Sequence, residues 1–293
     1  MRLARSPISA RNYLNNWFNR SYFAAPMRPA YHPTPADNDK SGAGDVWTAR
    51  ARYFENPSAN LRVVVANRYE WMNRFIQKDW EGVELGCGAG MSRGLIRSKR
   101  LVLTDHAEYE WLDVKKVDAL HTPFADASFD FALSVNVVHH LAHPLRFFKE
   151  MARILRPGGR LIIQDVHCSI FLRLALRLQR HEGYDYNVDV FDDEAICTDP
   201  NDEWAGNNAI VDLLLEDRAR FLESTPQLTL IHESHSEFLT LLNSGGVVAK
   251  TAYVPLPMPL MGVVDRIDRV LTKRFPETFA SQVQLVFEKK AAG

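Results

Sequence analysis

The chain has 293 residues, of which 46% are hydrophobic, and a formal net charge of -1. This length suits one large domain with added segments, or one domain and a cap. The balanced charge disfavours a broad nucleic-acid-binding surface, and no apolar run approaches the roughly 20 residues that span a bilayer. Three cysteines, Cys87, Cys168 and Cys197, have neither disulfide-like nor metal-like spacing, which indicates a reducing, cytoplasmic environment.

The N-terminal residues 1–36 contain no acidic residue and carry arginines among aromatic side chains. We expect a helix that packs on the main domain. An organelle transit peptide, or a basic aromatic arm that contacts an anionic membrane or substrate, is an alternative. Prolines and glycines in residues 24–45 indicate a linker. Residues 1–60 are therefore predicted to be an extension and linker, and residues 61–293 the main domain.

Residues 81–90 combine a short apolar strand, an acidic residue and three glycines at alternate positions. This pattern predicts a first parallel strand, a tight turn and a helix that begins near Met91 beneath a ligand. Glycine permits positive φ and close approach of the ligand. A dinucleotide-binding turn needs the spacing G-x-G-x-x-G, and here the third glycine comes one residue too early.

Residues 84–90 (ELGCGAG) resemble the first motif of class I S-adenosylmethionine (SAM) methyltransferases. A glycine-rich loop without a ligand is the alternative when the motif is taken alone. The resemblance implies that the cofactor is S-adenosyl-L-methionine and that it is contacted by residues of this turn, namely Glu84, Gly86, Cys87, Gly88 and Gly90.

Residues 101–105 are predicted to form the second strand, which ends in Asp105. In a doubly wound sheet a carboxylate at this position faces the bound nucleoside and accepts both ribose hydroxyls, although a helix N-cap is the alternative. Only residues 106–111 separate it from the next strand-like run, residues 112–117. We therefore expect a turn in place of the usual connecting helix, and a more open adenine side.

Residues 118–130 (DALHTPFADASFD) resemble the next motif of the same family. The resemblance implies that Asp118 accepts a hydrogen bond from the adenine amino group, with Ala119 beside it. An apolar fourth strand follows at residues 131–135, and Asn136, a further predicted cofactor contact, stands at its carboxyl end, where ligands bind in open α/β sheets.

Residues 153–159 (RILRPGG) end a helix before the fifth strand and are again typical of these methyltransferases. Later residues predict a strand at 228–233, a helix at 260–275 and a closing antiparallel strand at 282–288. The predicted fold is therefore an α/β class I methyltransferase, Rossmann-like, with a doubly wound, mostly parallel sheet of seven strands. Residues 167–225, with an amphipathic segment at 169–180 and a helix at 209–223, are predicted to be a helical cap over the substrate.

Methyl transfer needs alignment and exclusion of water, and it requires no covalent nucleophile. If the acceptor is a hydroxyl, a histidine is a natural general base, and the candidates are His140 first and His167 second. A packing or backbone-bonding role is the alternative for either residue. Although His139, His140 and His143 cluster in the sequence, no carboxylate or thiolate completes a ligand set at useful spacing, so no metal is predicted.

The acceptor is predicted to be a small molecule. The chain lacks the Asn/Asp-Pro-Pro-aromatic run of adenine-amino methyltransferases, and Cys168 has no Pro-Cys context of the kind found in RNA cytosine enzymes. Residues 180–183 and 244–250 resemble bacterial methyltransferases associated with surface-polysaccharide assembly. That likeness implies a hydroxyl of a sugar or lipid-linked sugar, with the arginine face of residues 173–180 near a pyrophosphate or in peripheral contact with a membrane. A solvated basic face over a packed apolar one is the alternative for that helix.

Three other readings remain open from the sequence. A C-methyltransferase that acts on a lipid or quinone-like ring fits the central motifs equally well. A SAM-binding scaffold without catalysis is compatible with the same motifs, since they concern the cofactor and not the acceptor. A nicotinamide-dependent oxidoreductase is disfavoured by the glycine spacing.

Overall fold

The computed structural model describes residues 27–34, 45–180, 182–202, 205–248 and 251–291. The predicted N-terminal helix or arm in residues 1–26 lies outside these ranges, as do residues 35–44 of the linker and residues 249–250 of the glycine-containing run near the C-terminal helix.

A mixed sheet of six strands forms the centre of the described part, in the order β3-β2-β4-β5-β8-β7. Strands β3, β2, β4 and β5 are parallel, and β8 pairs antiparallel with both β5 and β7. A separate two-stranded sheet pairs β1 with β6. The strands are β1 (Ala30–Tyr31), β2 (Glu81–Leu85), β3 (Arg100–Leu103), β4 (Phe129–Val135), β5 (Leu155–Val166), β6 (Tyr184–Asp185), β7 (Leu228–Ser236) and β8 (Gln282–Lys289).

Helices cover both faces of the large sheet. They are α1 (Val46–Phe54), α2 (Ala59–Tyr69), α3 (Pro144–Ile154), α4 (Ile170–Gln179), α5 (Ile210–Glu216), α6 (Arg218–Ser224), α7 (Leu239–Leu242), α8 (Met258–Arg274) and α9 (Pro276–Phe279), with 3-10 turns at Glu70–Phe75 and Val138–His140. The helix predicted at residues 209–223 is divided at Asp217, whose φ of -108° and ψ of 64° are not helical and whose side chain caps α6. Among the described residues, no helix has both the length and the apolar character that a membrane crossing requires.

Alternation along β4 explains the two-sided core. Phe131 and Leu133 join a cluster with Leu61, Val65 and other residues of α2 and the turn after it, whereas Ala132 faces a second cluster with α3. Because both faces are covered, β4 is a nearly continuous apolar run. The predicted α/β, Rossmann-like sheet is thereby confirmed in outline.

The predicted count of seven strands is not confirmed. Residues 112–117 contribute only an isolated parallel bridge between Thr104 and Val114. The side chain of Asp113 accepts the backbone N–H of Leu103 at 2.8 Å, so a carboxylate occupies the place where a strand would pair. The short connection before it, which forms no helix, is as predicted.

The helix predicted to start near Met91 is also absent, and residues 88–95 form successive turns. Gly90 and Gly94 have φ values of +66° and +89°, which interrupt a right-handed helix. The sequence interpretation was wrong here because it weighed the glycines only as a ligand-binding turn. It did not count Gly94 as a second break.

The predicted cap packs closely on the sheet. Leu176, Tyr184, Val190 and Cys197 belong to the same buried cluster as residues of β2, β4 and β5. Part of the predicted extension reaches the cap, because Tyr31 of β1 pairs with Tyr184 of β6. The division of the chain at residue 60 and the limits of the cap at 167–225 stay predictions.

Candidate cofactor and acceptor site

The turn after β2 has three glycines in the left-handed region. The φ values are +67° for Gly86, +49° for Gly88 and +66° for Gly90. A Cβ on Gly86 would lie 2.5 Å from Cγ2 of Val137, so the turn packs directly against the loop after β4. A Cβ on Gly88 would meet no atom within 4 Å, so open space borders the turn at that point. That space would be reduced by any larger side chain.

Asp105 anchors this turn. The backbone N–H of Gly88 donates to Oδ2 at 2.9 Å, and that of Ala107 donates to Oδ1 at 3.1 Å. Burial raises the pKa of the Asp105 carboxyl, but hydrogen bonds from His106, Ala107 and Gly88 outweigh it, and the net shift is downward. The carboxylate is therefore charged and fixed at the carboxyl side of β3. A contact between Asp105 and the ribose of the cofactor stays a prediction.

Glu84 and Asn136 lie at the carboxyl ends of β2 and β4. Glu84 is buried and its Oε2 accepts a hydrogen bond from the Ser92 hydroxyl. Burial raises its pKa to about 7, against the opposing effect of the hydrogen bonds from Ser92 and Tyr69. Asn136 has a φ of +55°, and its buried Oδ1 has no hydrogen-bond partner within the described ranges. An unsatisfied acceptor beside an open glycine turn suits a ligand with hydrogen-bond donors, as SAM has.

Three other predicted cofactor contacts differ in exposure. Asp118 is exposed, and its Oδ1 accepts the backbone N–H of Leu120 at 2.8 Å. Ala119 beside it is partly buried. Cys87 is buried, its backbone N–H donates to the Thr104 carbonyl at 3.0 Å, and burial raises the pKa of its thiol far above the usual value. Its side chain is therefore a protonated, apolar component of the turn.

A cover over the glycine turn was missed by the sequence analysis. Nε1 of Trp111 donates to the carbonyl oxygen of Gly88 at 2.8 Å, and Trp47 of α1 meets the Trp111 ring edge-on at 4.7 Å. Nη1 of Arg50 donates to the carbonyl oxygen of Ala89 at 2.7 Å. The aromatic content of the short connection at residues 106–111 is the one signal in the sequence that could have pointed to this cover.

Asp165, near the end of β5, organises the loop after β4. It is fully buried and accepts the backbone N–H groups of Val137 at 2.9 Å and Val138 at 2.8 Å on one oxygen. Its other oxygen is 2.6 Å from Nδ1 of His139 and 2.8 Å from the backbone nitrogen of Val166. Burial alone would raise the pKa of Asp165, but the effect of these partners is larger and opposite. The net shift is downward, so the group is a carboxylate. The sequence analysis missed this residue, although an acidic residue at the end of an apolar strand was visible.

His139 and His140 both face Glu182, which belongs to the predicted cap. Nε2 of His139 is 3.5 Å from one Glu182 oxygen, and Nε2 of His140 is 4.0 Å from the other. Burial lowers the pKa of His139, but Asp165 and Glu182 raise it to about 10. The prediction of no metal relied on the absence of a nearby carboxylate in the sequence, and the fold supplies one.

The contacts of His140 favour a neutral imidazole. Its Nδ1 is 2.8 Å from the carbonyl oxygen of Ala205, which can only accept, so Nδ1 carries the proton. Burial and the nearby charge of His139 lower its pKa. Nε2 therefore keeps its lone pair, and the side chain is 28% exposed.

His167, the second candidate base, has different partners. Nδ1 lies 2.8 Å from Oδ1 of Asp212, whose other oxygen accepts the Tyr186 hydroxyl at 2.8 Å and the Cys168 backbone N–H at 3.0 Å. Burial lowers the pKa of His167, but Asp212 more than offsets this and the net shift is upward. The imidazole is thus buried, and the upward shift of its pKa favours the protonated form, which is unfavourable for a general base. His143 lies outside the group formed by His139, His140 and Glu182.

Comparison with known proteins gives one family match and several partial relatives. Residues 83–163 match the family described as "Methyltransferase domain". Probable tRNA methyltransferase 9B from Bos taurus is 28% identical over 141 residues, which cover 44% of this chain and 30% of that protein. Methyltransferase GfsG from Streptomyces halstedii is 29% identical over 153 residues, which cover 50% of this chain and 53% of that protein.

A third relative, 27-O-demethylrifamycin SV methyltransferase from Amycolatopsis mediterranei, is 32% identical over 101 residues, covering 28% of this chain and 37% of that protein. The chain thus spans between about a third and a half of the length of these relatives. Among solved structures, the chain resembles a SAM-dependent methyltransferase from Archaeoglobus fulgidus with a TM-score of 0.47. The two are 15% identical, and the match covers 84% of this chain and all of that one.

Proposed function

We propose that this chain, whose residues 83–163 match the family described as "Methyltransferase domain", transfers a methyl group from S-adenosylmethionine to a hydroxyl of a small molecule. The observation that carries the proposal is the glycine turn at the carboxyl end of β2, with open space beside Gly88 and Asp105 bonded to its backbone. The two polar loops that follow β4 and β5 stand at the same edge of the sheet, where ligands bind in this class of fold.

The cofactor would be held by residues that the turn and its neighbours already position. Glu84, Gly86, Cys87, Gly88 and Gly90 border it on one side, Asp105 would accept from the ribose, and Asp118 and Ala119 would meet the adenine, with Asn136 near the acceptor side. When bound, SAM supplies a methyl group on a positively charged sulfur. The protein's own contribution is alignment, exclusion of water and the negative charge of Asp105, to which Glu84 adds when it is ionised.

His140 is the better of the two candidate bases. It is neutral, its Nε2 retains a lone pair and its side chain reaches the surface of the site, whereas His167 is buried and lies within hydrogen-bonding distance of Asp212. In this role His140 accepts the proton of the acceptor hydroxyl as the new bond forms.

A small-molecule acceptor is supported by the relative named for 27-O-demethylrifamycin SV. A hydroxyl of a sugar or lipid-linked sugar is the specific acceptor that we favour, with C-methylation of a lipid or quinone-like ring and non-catalytic SAM binding as alternatives. A second candidate acceptor is RNA, because other relatives are named as probable tRNA methyltransferases. The net charge of -1 favours the small molecule.

The test combines calorimetry and label transfer. We expect S-adenosylmethionine to bind in a one-to-one complex, and its radiolabelled methyl group to pass to a polar, low-molecular-weight fraction of a cell extract. Label in total RNA would favour the nucleic-acid alternative, and label in the neutral lipid fraction would favour the ring-methylating one. Binding without transfer to any fraction would support the scaffold, and absence of binding would contradict the proposal altogether.

A further inference from the structure

Two histidines and a carboxylate converge where β4 ends and the cap begins. One ligand atom from each of His139, His140 and Glu182 lies within 4.8 Å of the others. The histidines belong to the 3-10 turn Val138–His140, whereas Glu182 comes from the chain just after α4. The cluster therefore exists only in the folded protein and connects the sheet edge to the cap.

The spacing of these atoms matches a coordination sphere. In a tetrahedral zinc site with bonds of about 2.0–2.1 Å, neighbouring ligand atoms are about 3.4 Å apart. Nε2 of His139 lies 3.5 Å from one oxygen of Glu182 and Nε2 of His140 lies 4.0 Å from its other oxygen, and one ligand atom of each residue lies within 4.8 Å of the others. Small side-chain adjustments would therefore bring all three atoms onto one ion.

Both histidines are already oriented as metal ligands are. A ligating imidazole almost always donates its other N–H to a carboxylate or a backbone carbonyl, which fixes the tautomer and the ring direction. Nδ1 of His139 has the Asp165 carboxylate at 2.6 Å, and Nδ1 of His140 has the carbonyl oxygen of Ala205 at 2.8 Å. Each ring consequently directs Nε2 toward Glu182.

The backbone and charge at Glu182 are consistent with a held ligand. Its φ is +29°, a conformation that costs free energy in a residue other than glycine, and such strain concentrates at functional sites. Nδ2 of Asn208 lies 3.4 Å from Oε2 and helps to orient the carboxylate. Asp165 and Glu182 together bring two carboxylates to a nearly dry site, where a divalent cation would replace the proton that they stabilise on His139.

We propose that His139, His140 and Glu182 form a site for a divalent transition-metal ion of the zinc class. Two imidazoles and one carboxylate suit Zn²⁺ and related ions, whereas Mg²⁺ prefers oxygen ligands. Three protein ligands leave a coordination position open, as in catalytic sites. The competing explanation is a buried ion pair in which an imidazolium of His139 bridges Asp165 and Glu182 without any ion.

A role for this ion rests on the proposed function. With a cation bound, Nε2 of His140 would be a ligand and would not act as the base; the open position would suit the acceptor hydroxyl, whose pKa a metal would lower so that its proton could pass to water. Binding of the ion itself requires neither SAM nor acceptor. Failure of the metal site and failure of the methyltransferase proposal can therefore be told apart.

The experiment measures Zn²⁺ binding to the full chain after treatment with a chelator, in the absence of SAM. We expect one equivalent of Zn²⁺ to bind with little competition from Mg²⁺. His140→Ala and the isosteric Glu182→Gln should each weaken binding at least about tenfold. His143→Ala is the matched control, because that histidine is close in sequence and outside the cluster, and it should bind as the wild type does.

Co²⁺ provides a second readout that does not depend on activity. Its absorption spectrum should show nitrogen and oxygen ligation without the charge-transfer band of a thiolate, and the spectrum should be lost in Glu182→Gln. Circular dichroism of each variant checks that it is folded. The proposal is overturned if the wild type binds no Zn²⁺, if folded Glu182→Gln binds it as tightly as the wild type, or if the spectrum reports cysteine ligation.

Discussion

Asp165 and His139 form a 2.6 Å hydrogen bond between the end of β5 and the loop after β4. The same carboxylate also accepts the backbone N–H groups of Val137 and Val138. One buried side chain thus determines the path of the loop that carries Asn136 and His140, and the geometry of the acceptor side depends on it.

Asp165→Ala should therefore destabilise the protein by about 3–5 kcal/mol, because it leaves buried donors and a charged imidazole without a partner. Urea unfolding followed by circular dichroism measures the change. Asp126→Ala is the matched control, since Asp126 is largely exposed and pairs with Arg153 at the surface, and its loss should cost less than about 1 kcal/mol. Equal effects of the two variants would contradict the organising role of Asp165.

Gly88→Val should abolish SAM binding while the protein remains folded, because the new side chain would enter the open space beside the turn. Gly158→Val is the control: its φ is +77° and a Cβ there also meets no atom within 4 Å, but it lies at the opposite end of β5. Both variants pay a similar conformational cost. Calorimetry should show SAM binding by the Gly158→Val control and none by Gly88→Val. SAM binding by Gly88→Val would contradict the assignment of this turn to the cofactor site.

Asp105→Ala should weaken SAM binding by about 1.5–3 kcal/mol, the usual scale for a hydrogen bond to a charged group. Stability should fall as well, since the backbone N–H groups of Gly88 and Ala107 lose their acceptor. Asp113→Ala separates the two effects, because Asp113 also accepts a backbone N–H but belongs to the bridge beside β3. It should lower the melting temperature and leave the affinity unchanged. An affinity within error of the wild type for Asp105→Ala would eliminate the ribose role.

SAM affinity should increase as the pH rises through about 7, because Glu84 has a pKa of about 7 and its ionised form attracts a cationic ligand. The sign is opposite for the stability of the free protein. The pKa of Glu84 in the folded protein lies above its ordinary value of 4.5, so folding binds a proton that the unfolded chain has released, and stability is lost as the pH rises from 4.5 to about 7. Glu84→Gln should remove both dependences. Calorimetry and thermal unfolding at several pH values measure them, and an unchanged pH profile in Glu84→Gln would assign the effect to another group.

His140→Ala should reduce turnover by about 10²–10⁴-fold with little change in SAM affinity, since in the proposed role the residue would contact the acceptor and not the cofactor. His167→Ala is the informative comparison, because His167 is buried against Asp212 and should affect stability more than turnover. Single-turnover kinetics and SAM calorimetry on both variants measure this division. Wild-type turnover in His140→Ala would contradict the role of His140 as a base and would indicate a structural role.

The central motifs were predictable from the sequence because they are local. Residues 81–118 contain a strand, the glycine turn and the acidic residues at strand ends, and each of these features is recognisable from residues close together in the sequence. The family match, residues 83–163, includes most of this region. Helices α3, α4 and α8 were likewise visible in the sequence. The error at Met91 arose within this region, where a second left-handed glycine, Gly94, was not weighed.

The sequence by itself determined the type of fold, the glycine turn and the candidate residues for a cofactor. The tertiary structure decided which side chains meet: Asp165 with His139, Trp111 with Gly88, and Glu182 with two histidines some forty positions earlier. The physical reason is that a buried charge or a close ligand set depends on distances between elements remote in the chain. Residue spacing encodes periodicity along one strand or helix, and it carries no measure of those distances until the elements pack.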